Sequence, residues 1–267
     1  MNFRHPYQKP RLGTPLNRNH PLAKGLVGSW LFNEGAGNLA LDSSGNGNNG
    51  TLTNMNAGTY NSGWCGGALA FDGVVSHVKI TPAPLNARTI VIRFFYRGVT
   101  SGDHYFYLIG NDIYDDGCEL RVESGHLQGY MRPADGSYHK FYDIAYASPN
   151  TWENYAVTFD VNRHTISVYK NGVIVGIDST WDGTFVSTLN NNMYIGCESE
   201  EVGSQRYFNG LISSVSIYNR ALSTQEIAQL YQTPYCMYDA DLPMPVWMMG
   251  SSLCFRRGMS LRTGSRF

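Results

Sequence analysis

In the middle of the chain, apolar and polar residues alternate in short runs of period two. Cys118, Leu120 and Val122 alternate with Glu119, Arg121 and Glu123, which puts the two sets on opposite faces of a half-buried strand. Ser124-Gly125 supplies a turn, and His126 to Arg132 returns as the partner strand. Tyr155, Val157 and Phe159 alternate in the same way with Ala156, Thr158 and Asp160. The clearest hairpin runs from His164 to Lys170, through Asn171-Gly172, into Val173-Ile174-Val175. Asn-Gly takes positive φ readily, as a two-residue type I′ turn requires. One segment has a helical period instead. Ser223-Thr224-Gln225-Glu226 is a capping box, followed by Ile227, Leu230 and Tyr231 at i, i+3, i+4, which predicts a short surface-packed helix.

The two ends follow neither period. Residues 1–24 contain Pro6, Pro10, Pro15 and Pro21; proline removes amide donors and fixes φ, so an extended arm is expected. Residues 233–267 hold Pro243, Pro245, Trp247, Met248 and Met249 without regular spacing. Such a segment either packs back on its own domain or clasps another subunit. The organisation expected is a basic arm at 1–24, a sandwich at 25–232 and an apolar, basic arm at 233–267.

Composition narrows the class. With 29 Gly and 18 Tyr and 15% charged residues in 267, short strands and tight turns are favoured over helices. The expected fold is all-β: a two-sheet antiparallel sandwich with one short C-terminal helix. The formal net charge of −1 is unevenly spread. Five basic residues (Arg4, Lys9, Arg11, Arg18, Lys24) precede Leu26 and four (Arg256, Arg257, Arg262, Arg266) follow Asp241, with no acid in either stretch. The centre therefore carries about −10 between cationic ends, which suits docking on an acidic protein surface. Neither end has the dense Lys/Arg run of a nucleic-acid arm. Five dispersed cysteines without a CxxC pair read as reduced thiols, and with no apolar signal-like start the expectation is synthesis in a cytosol. No run of 18 apolar residues is present to span a membrane.

An ordered series of segments then resembles the laminin-G-like jelly-roll family of the concanavalin A-like superfamily. Gly25 to Gly35 is similar to the family's opening strand, and Asp42 to Leu52 to its Asp-to-Gly-Thr loop. Ala68-Leu69-Ala70-Phe71-Asp72-Gly73 resembles its "AL-FDG" segment. Trp152 to Asp160 and Val168 to Val173 are similar to two further strands, and Phe208 to Ser223 to the closing strand and the turn before the helix. The resemblance implies a jelly roll whose curved face can bind sugars or proteins. It implies no shared chemistry.

Candidate sites follow from residue types. Glycosidic cleavage needs two carboxylates a few ångströms apart. The nearest sets are Glu119/Glu123, with Arg121 between them, and Glu198/Glu200/Glu201 in a polar run; the first reads as a solvent face and the second as a loop. No catalytic residue is assigned. The loop from Asp42 to Asn48, with Asn46 and the nearby Glu34, is rich in oxygen donors that suit Ca²⁺. The same residues also make turns without an ion. Related domains often carry an acidic pair where this chain has Ser213 and Ser214. Tyr138, Tyr142 and Tyr146 share a face if extended and, with Trp181, are candidate ligand contacts, unless the tyrosines fill the space between sheets. Arg4, Arg11, Arg18, Trp247, Arg256 and Arg257 are the candidate assembly contacts.

Three functions are weighed. The first is a non-enzymatic structural protein of a virion, such as a phage decoration or fibre component, with other particle subunits as partners and an oligomeric assembled state. The second is a carbohydrate-binding module or adhesin recognising surface glycans. The third, a glycoside hydrolase, has the least support. Neither nucleic acid nor membrane is expected as a partner.

Overall fold

The computed structural model describes residues 8–55, 63–82, 87–98, 105–111, 118–123, 125–131, 139–140, 147–179, 192–198 and 206–238. Strands are numbered in chain order. One antiparallel sheet runs β14 (Val173–Asp178), β13 (Thr165–Lys170), β12 (Trp152–Asp160), β7 (Thr89–Tyr96), β16 (Asn209–Tyr218), β5 (Leu69–Asp72), β4 (Gly63–Trp64). β1 (Leu26–Trp30) also pairs with β16. The second sheet runs β11 (His139–Lys140), β10 (His126–Met131), β9 (Cys118–Glu123), β8 (Tyr105–Asn111), β15 (Met193–Ile195), β6 (His77–Ile80), β3 (Gly50–Thr53), β2 (Leu39–Ala40). The all-β sandwich is as expected from the alternating runs.

One phase of each strand fills the space between the sheets. Ile90, Ile92 and Phe94 of β7 and Tyr155, Val157 and Phe159 of β12 meet Val78, Ile80, Leu120, Val122 and Ile195 of the other sheet. Phe94 stacks on Tyr155 at 5.3 Å between centroids, and Phe208 meets Phe94 and Phe71 edge-on. Local signals set the turns. Asn171 and Gly172 have φ of 51° and 79°, so the β13–β14 turn is the left-handed pair that Asn-Gly favours. After β5, Asp72 Oδ1 accepts from the amides of Val74, Val75 and Ser76 and from the Ser76 hydroxyl. Those bonds explain the Phe-Asp-Gly sequence. Gly73 lies at φ 75°, where an added Cβ would stand 2.9 Å from Asn209 Cβ.

The helix α1 (Thr224–Gln232) begins with the predicted capping box: Ser223 Oγ accepts from the Glu226 amide, and Glu226 accepts from the Ser223 amide. Its Ile227 and Leu230 sit on the outer face of the β7–β16 sheet against Val91, Ala156, Tyr169 and Tyr218. The same apolar layer includes Leu22 and Leu16 from the N-terminal segment and Met237 and Tyr238 after the helix. The Asn17 amide donates to Met237 O, and the Tyr238 hydroxyl to Ser29 Oγ at 2.8 Å. Residues 8–24 thus lie against their own sandwich and contain a 3-10 turn at Pro21–Ala23, a closer docking than the expected outlying arm. Apolar area explains it: Leu22 is fully buried, worth roughly 2 kcal/mol in transfer terms.

Candidate functional site: the polar outer phase of the second sheet

β16 changes partner along its length. Leu211 and Ile212 pair with β5, and Val215 to Tyr218 with β1, with a bulge between Ile212 and Ser214. At that seam the Lys9 ammonium donates to three backbone carbonyls, those of Leu31, Gly67 and Ser213. Burial pulls the Lys9 pKa down to about 7, against the pull of the Glu34 carboxylate. A strand that switches neighbours leaves carbonyls without ladder partners. A lysine from the N-terminal segment supplies the missing donors.

The candidate calcium loop lies close by, and both Asp42 oxygens accept hydrogen bonds. Asp42 Oδ1 accepts from the amides of Ser29 and Ser44, both at 2.9 Å. Its Oδ2 accepts from the Ser44 hydroxyl at 2.8 Å and the Asn48 amide at 3.0 Å. Asn46 turns its amide nitrogen toward the carbonyls of Leu26 and Val27. Glu34 Oε1 accepts from the Leu41 amide, while Oε2 is buried without a hydrogen-bond partner. Among the described residues no group of three or more His, Cys, Asp or Glu side chains is placed to hold a metal ion. As folded, the loop is an Asx-based brace for β1, closed by the Trp30 indole donating to Asn48 O.

The second sheet has a polar outer phase. Val78 and Ile80 face the core, so His77 and Lys79 face outward; Leu120 and Val122 place Arg121 outward, and Leu127 places Gln128 outward. Arg121 and Gln128 are cross-strand partners, and Arg121 Nε and Nη2 donate to Gln128 Oε1 at 3.1 and 3.0 Å. Tyr194 pairs with Lys79, whose ammonium stands 5.7 Å from the Tyr194 ring centroid. The His77 ring lies 5.9 Å from Tyr194 and 6.1 Å from Tyr207. His77, Tyr194 and Gln128 are buried, whereas Lys79 and Arg121 are half-buried. Half-buried Lys79 and Arg121 thereby keep cationic donors at the surface beside the buried rings, where they can donate to sugar hydroxyls.

Other candidates divide as follows. Arg11 and Arg18 are exposed beside the Asp42 loop. Glu198 is paired with Arg206 at 2.8 Å and so is held in an ion pair. The side chains of Glu119 and Glu123, and the residues Tyr138, Tyr142, Tyr146, Trp181, Glu200, Glu201, Arg4, Trp247, Arg256 and Arg257, lie outside what is described. Sequence reasoning passed over His77, Lys79 and Tyr194. The alternation His77-Val78-Lys79-Ile80 was the available signal.

The family model for Laminin_G_3, described as the concanavalin A-like lectin/glucanases superfamily, matches residues 76–228. The chain belongs to this superfamily. Its matched span runs from β6 into α1, including the polar phase just described. No curated protein matches the chain. Among solved structures, the botulinum neurotoxin serotype D binding domain is similar at 14% identity and TM-score 0.58, covering 79% of this chain and 52% of that one. The binding domain of Paraclostridial Mosquitocidal Protein 1 is similar at 17% identity and TM-score 0.56, covering 79% and 52%. Trypanosoma rangeli sialidase in complex with sialic acid is similar at 17% identity and TM-score 0.57, covering 80% and 33%. The chain spans about half the length of the two binding domains. At these identities the likeness shows a lectin-like fold and no more.

Proposed function

We propose that this superfamily member is a non-enzymatic glycan-binding domain whose recognition surface is the outer phase of the β6–β15–β9 sheet. The observation that carries the proposal is the contrast between the two outer faces. Val91, Ala156 and Tyr169 lie under an apolar layer, while the equivalent positions of the second sheet hold His77, Lys79, Arg121, Gln128 and Tyr194. A sheet face needed only for packing has no use for two cations and an imidazole, since burying charge costs more than burying hydrocarbon. Glu198, held by Arg206, adds nothing to a hydrolytic reading, and the solved binding domains of similar fold support the same choice. A glycan array tests the proposal: binding to at least one oligosaccharide is expected, weakened by Lys79→Ala without loss of folding. Absence of binding across neutral and acidic glycans would overturn it.

A second reading, a component of a phage or other particle, rests on residues 239–267, which carry Trp247, Arg256 and Arg257 and no acid after Asp241. Residues 8–24 give it no support, because they are engaged with their own sandwich. Removal of 239–267 should abolish assembly with the particle under this reading. Normal incorporation of the shortened chain would remove it.

A further inference from the structure

Between the N-terminal segment and the Asp42 loop lies a groove of about 330 Å³, at the small end of the range for small-molecule sites. Arg11 and Arg18 both line it, together with Thr14, Asn33, Ser43 and Ser44. Its flank is apolar, with Leu12 and Leu41 53% and 37% exposed. Arg18 lies directly on Gly45: a Cβ there would stand 2.6 Å from Arg18 Nη2. Gly45 has φ 81°, so the loop conformation that needs glycine also lets the guanidinium approach. Among the described residues neither the Arg11 nor the Arg18 guanidinium has a hydrogen-bond or ion-pair partner.

The acids nearby do not use these guanidinium groups. Asp42 also lines the groove, but three donors of its own loop and the Ser29 amide of β1 occupy its two oxygens. Glu34 accepts from the Leu41 amide through Oε1, and its charge acts on the Lys9 ammonium. Two forked cations therefore line a groove whose other lining residues include both hydroxyl-bearing and apolar side chains. Arginine pairs bidentately with planar or tetrahedral oxyanions, and the apolar flank suits the C–H face of a pyranose.

We infer that this groove is a second, anion-selective subsite that takes the acidic group of a glycan, carboxylate or sulfate, between Arg11 and Arg18. The inference rests on the glycan-binding reading for the identity of its ligand but uses none of the residues of the β6–β15–β9 face. Isothermal titration of the full chain with a sialylated trisaccharide, trigalacturonate, a sulfated disaccharide and neutral lactose tests it. At least one acidic sugar should bind about tenfold more tightly than lactose, the worth of one charge-assisted hydrogen bond. Arg18→Lys, which keeps the charge and loses the fork, and Arg11→Ala should each weaken that binding about tenfold. Arg163→Ala, on the exposed β12–β13 turn, should leave it unchanged. Sialylated or uronate sugars binding alone identifies the anion as a carboxylate, and the sulfated sugar alone as a sulfate; both support the subsite. Acidic sugars that bind equally well to the Arg11 and Arg18 variants would overturn the subsite and leave the glycan-binding reading standing. Inorganic sulfate binding as tightly as the sugars would overturn the saccharide assignment. Failure of every glycan, neutral or acidic, would overturn both.

Discussion

The outer face of the β7–β16 sheet and that of the β6–β15 sheet begin from the same alternation and end in opposite states. On the first, Val91, Ala156, Tyr169 and Tyr218 are covered by Leu22, Ile227, Leu230 and Met237, giving a second core. On the second, the corresponding phase is His77, Lys79, Arg121, Gln128 and Tyr194. The lesson is that a sandwich with one polar and one apolar outer face has assigned them separate work. The apolar face spends segments of chain from both sides of the domain on stability. The polar face carries the donors that the proposed function assigns to recognition.

The comparison breaks most severely if the covering layer is removed. Deletion of residues 1–24 withdraws Leu16, Leu22 and the Lys9 donors together, and should give a chain that aggregates or melts well below the full-length protein by circular dichroism. A deletion that melts at the original temperature would mean the layer is ornamental. Leu22→Ala, at a fully buried site, should cost about 3 kcal/mol in denaturant unfolding. Ser223→Ala removes the cap that starts the covering helix and should cost about 1 kcal/mol, or roughly 2–4 °C in Tm for a domain of this size.

A smaller effect lies at the Asp72 turn. Burial would raise the Asp72 pKa, but amide bonds from Val75, Val74 and Ser76 and the Ser76 hydroxyl outweigh it and hold the carboxyl below its ordinary value. A carboxylate with a depressed folded pKa contributes stability that is present above its unfolded pKa, about 3.9, and lost as pH falls through the folded value. Asp72→Asn should therefore flatten the acid limb of a stability-versus-pH curve below about pH 4, with little change in its shape near neutrality. An unchanged acid limb would contradict the assignment.

Much of this was readable in residue order. The hairpin at Asn171-Gly172 and the capping box at Ser223 are local, so short motifs sufficed. Tyr155, Val157 and Phe159 face the core as alternation requires. Ala156 misled only in being buried as well, because a small side chain on the polar phase is what a helix packing closely overhead needs. The docking of residues 8–24 was hidden for a different reason. Leu16 and Leu22 have no period because a 3-10 turn imposes none, and Lys9 meets carbonyls of residues 31, 67 and 213, backbone atoms that leave no mark in sequence. The candidate calcium loop is ambiguous for a similar reason. Oxygen-rich composition looks the same whether the oxygens await an ion or accept from Ser29, Ser44 and Asn48. Arg11 and Arg18 were visible as charges, but only the fold places them in one groove.

The central claim is that the two faces divide stability from recognition. Amide chemical-shift mapping, with the neutral oligosaccharide that binds best on an array, tests it directly. The account predicts shifts concentrated at His77–Ile80, Met193–Ile195, Arg121 and Gln128, with Ala156, Tyr169 and Ile227 unmoved. Shifts centred on α1 and the strands beneath it would contradict it.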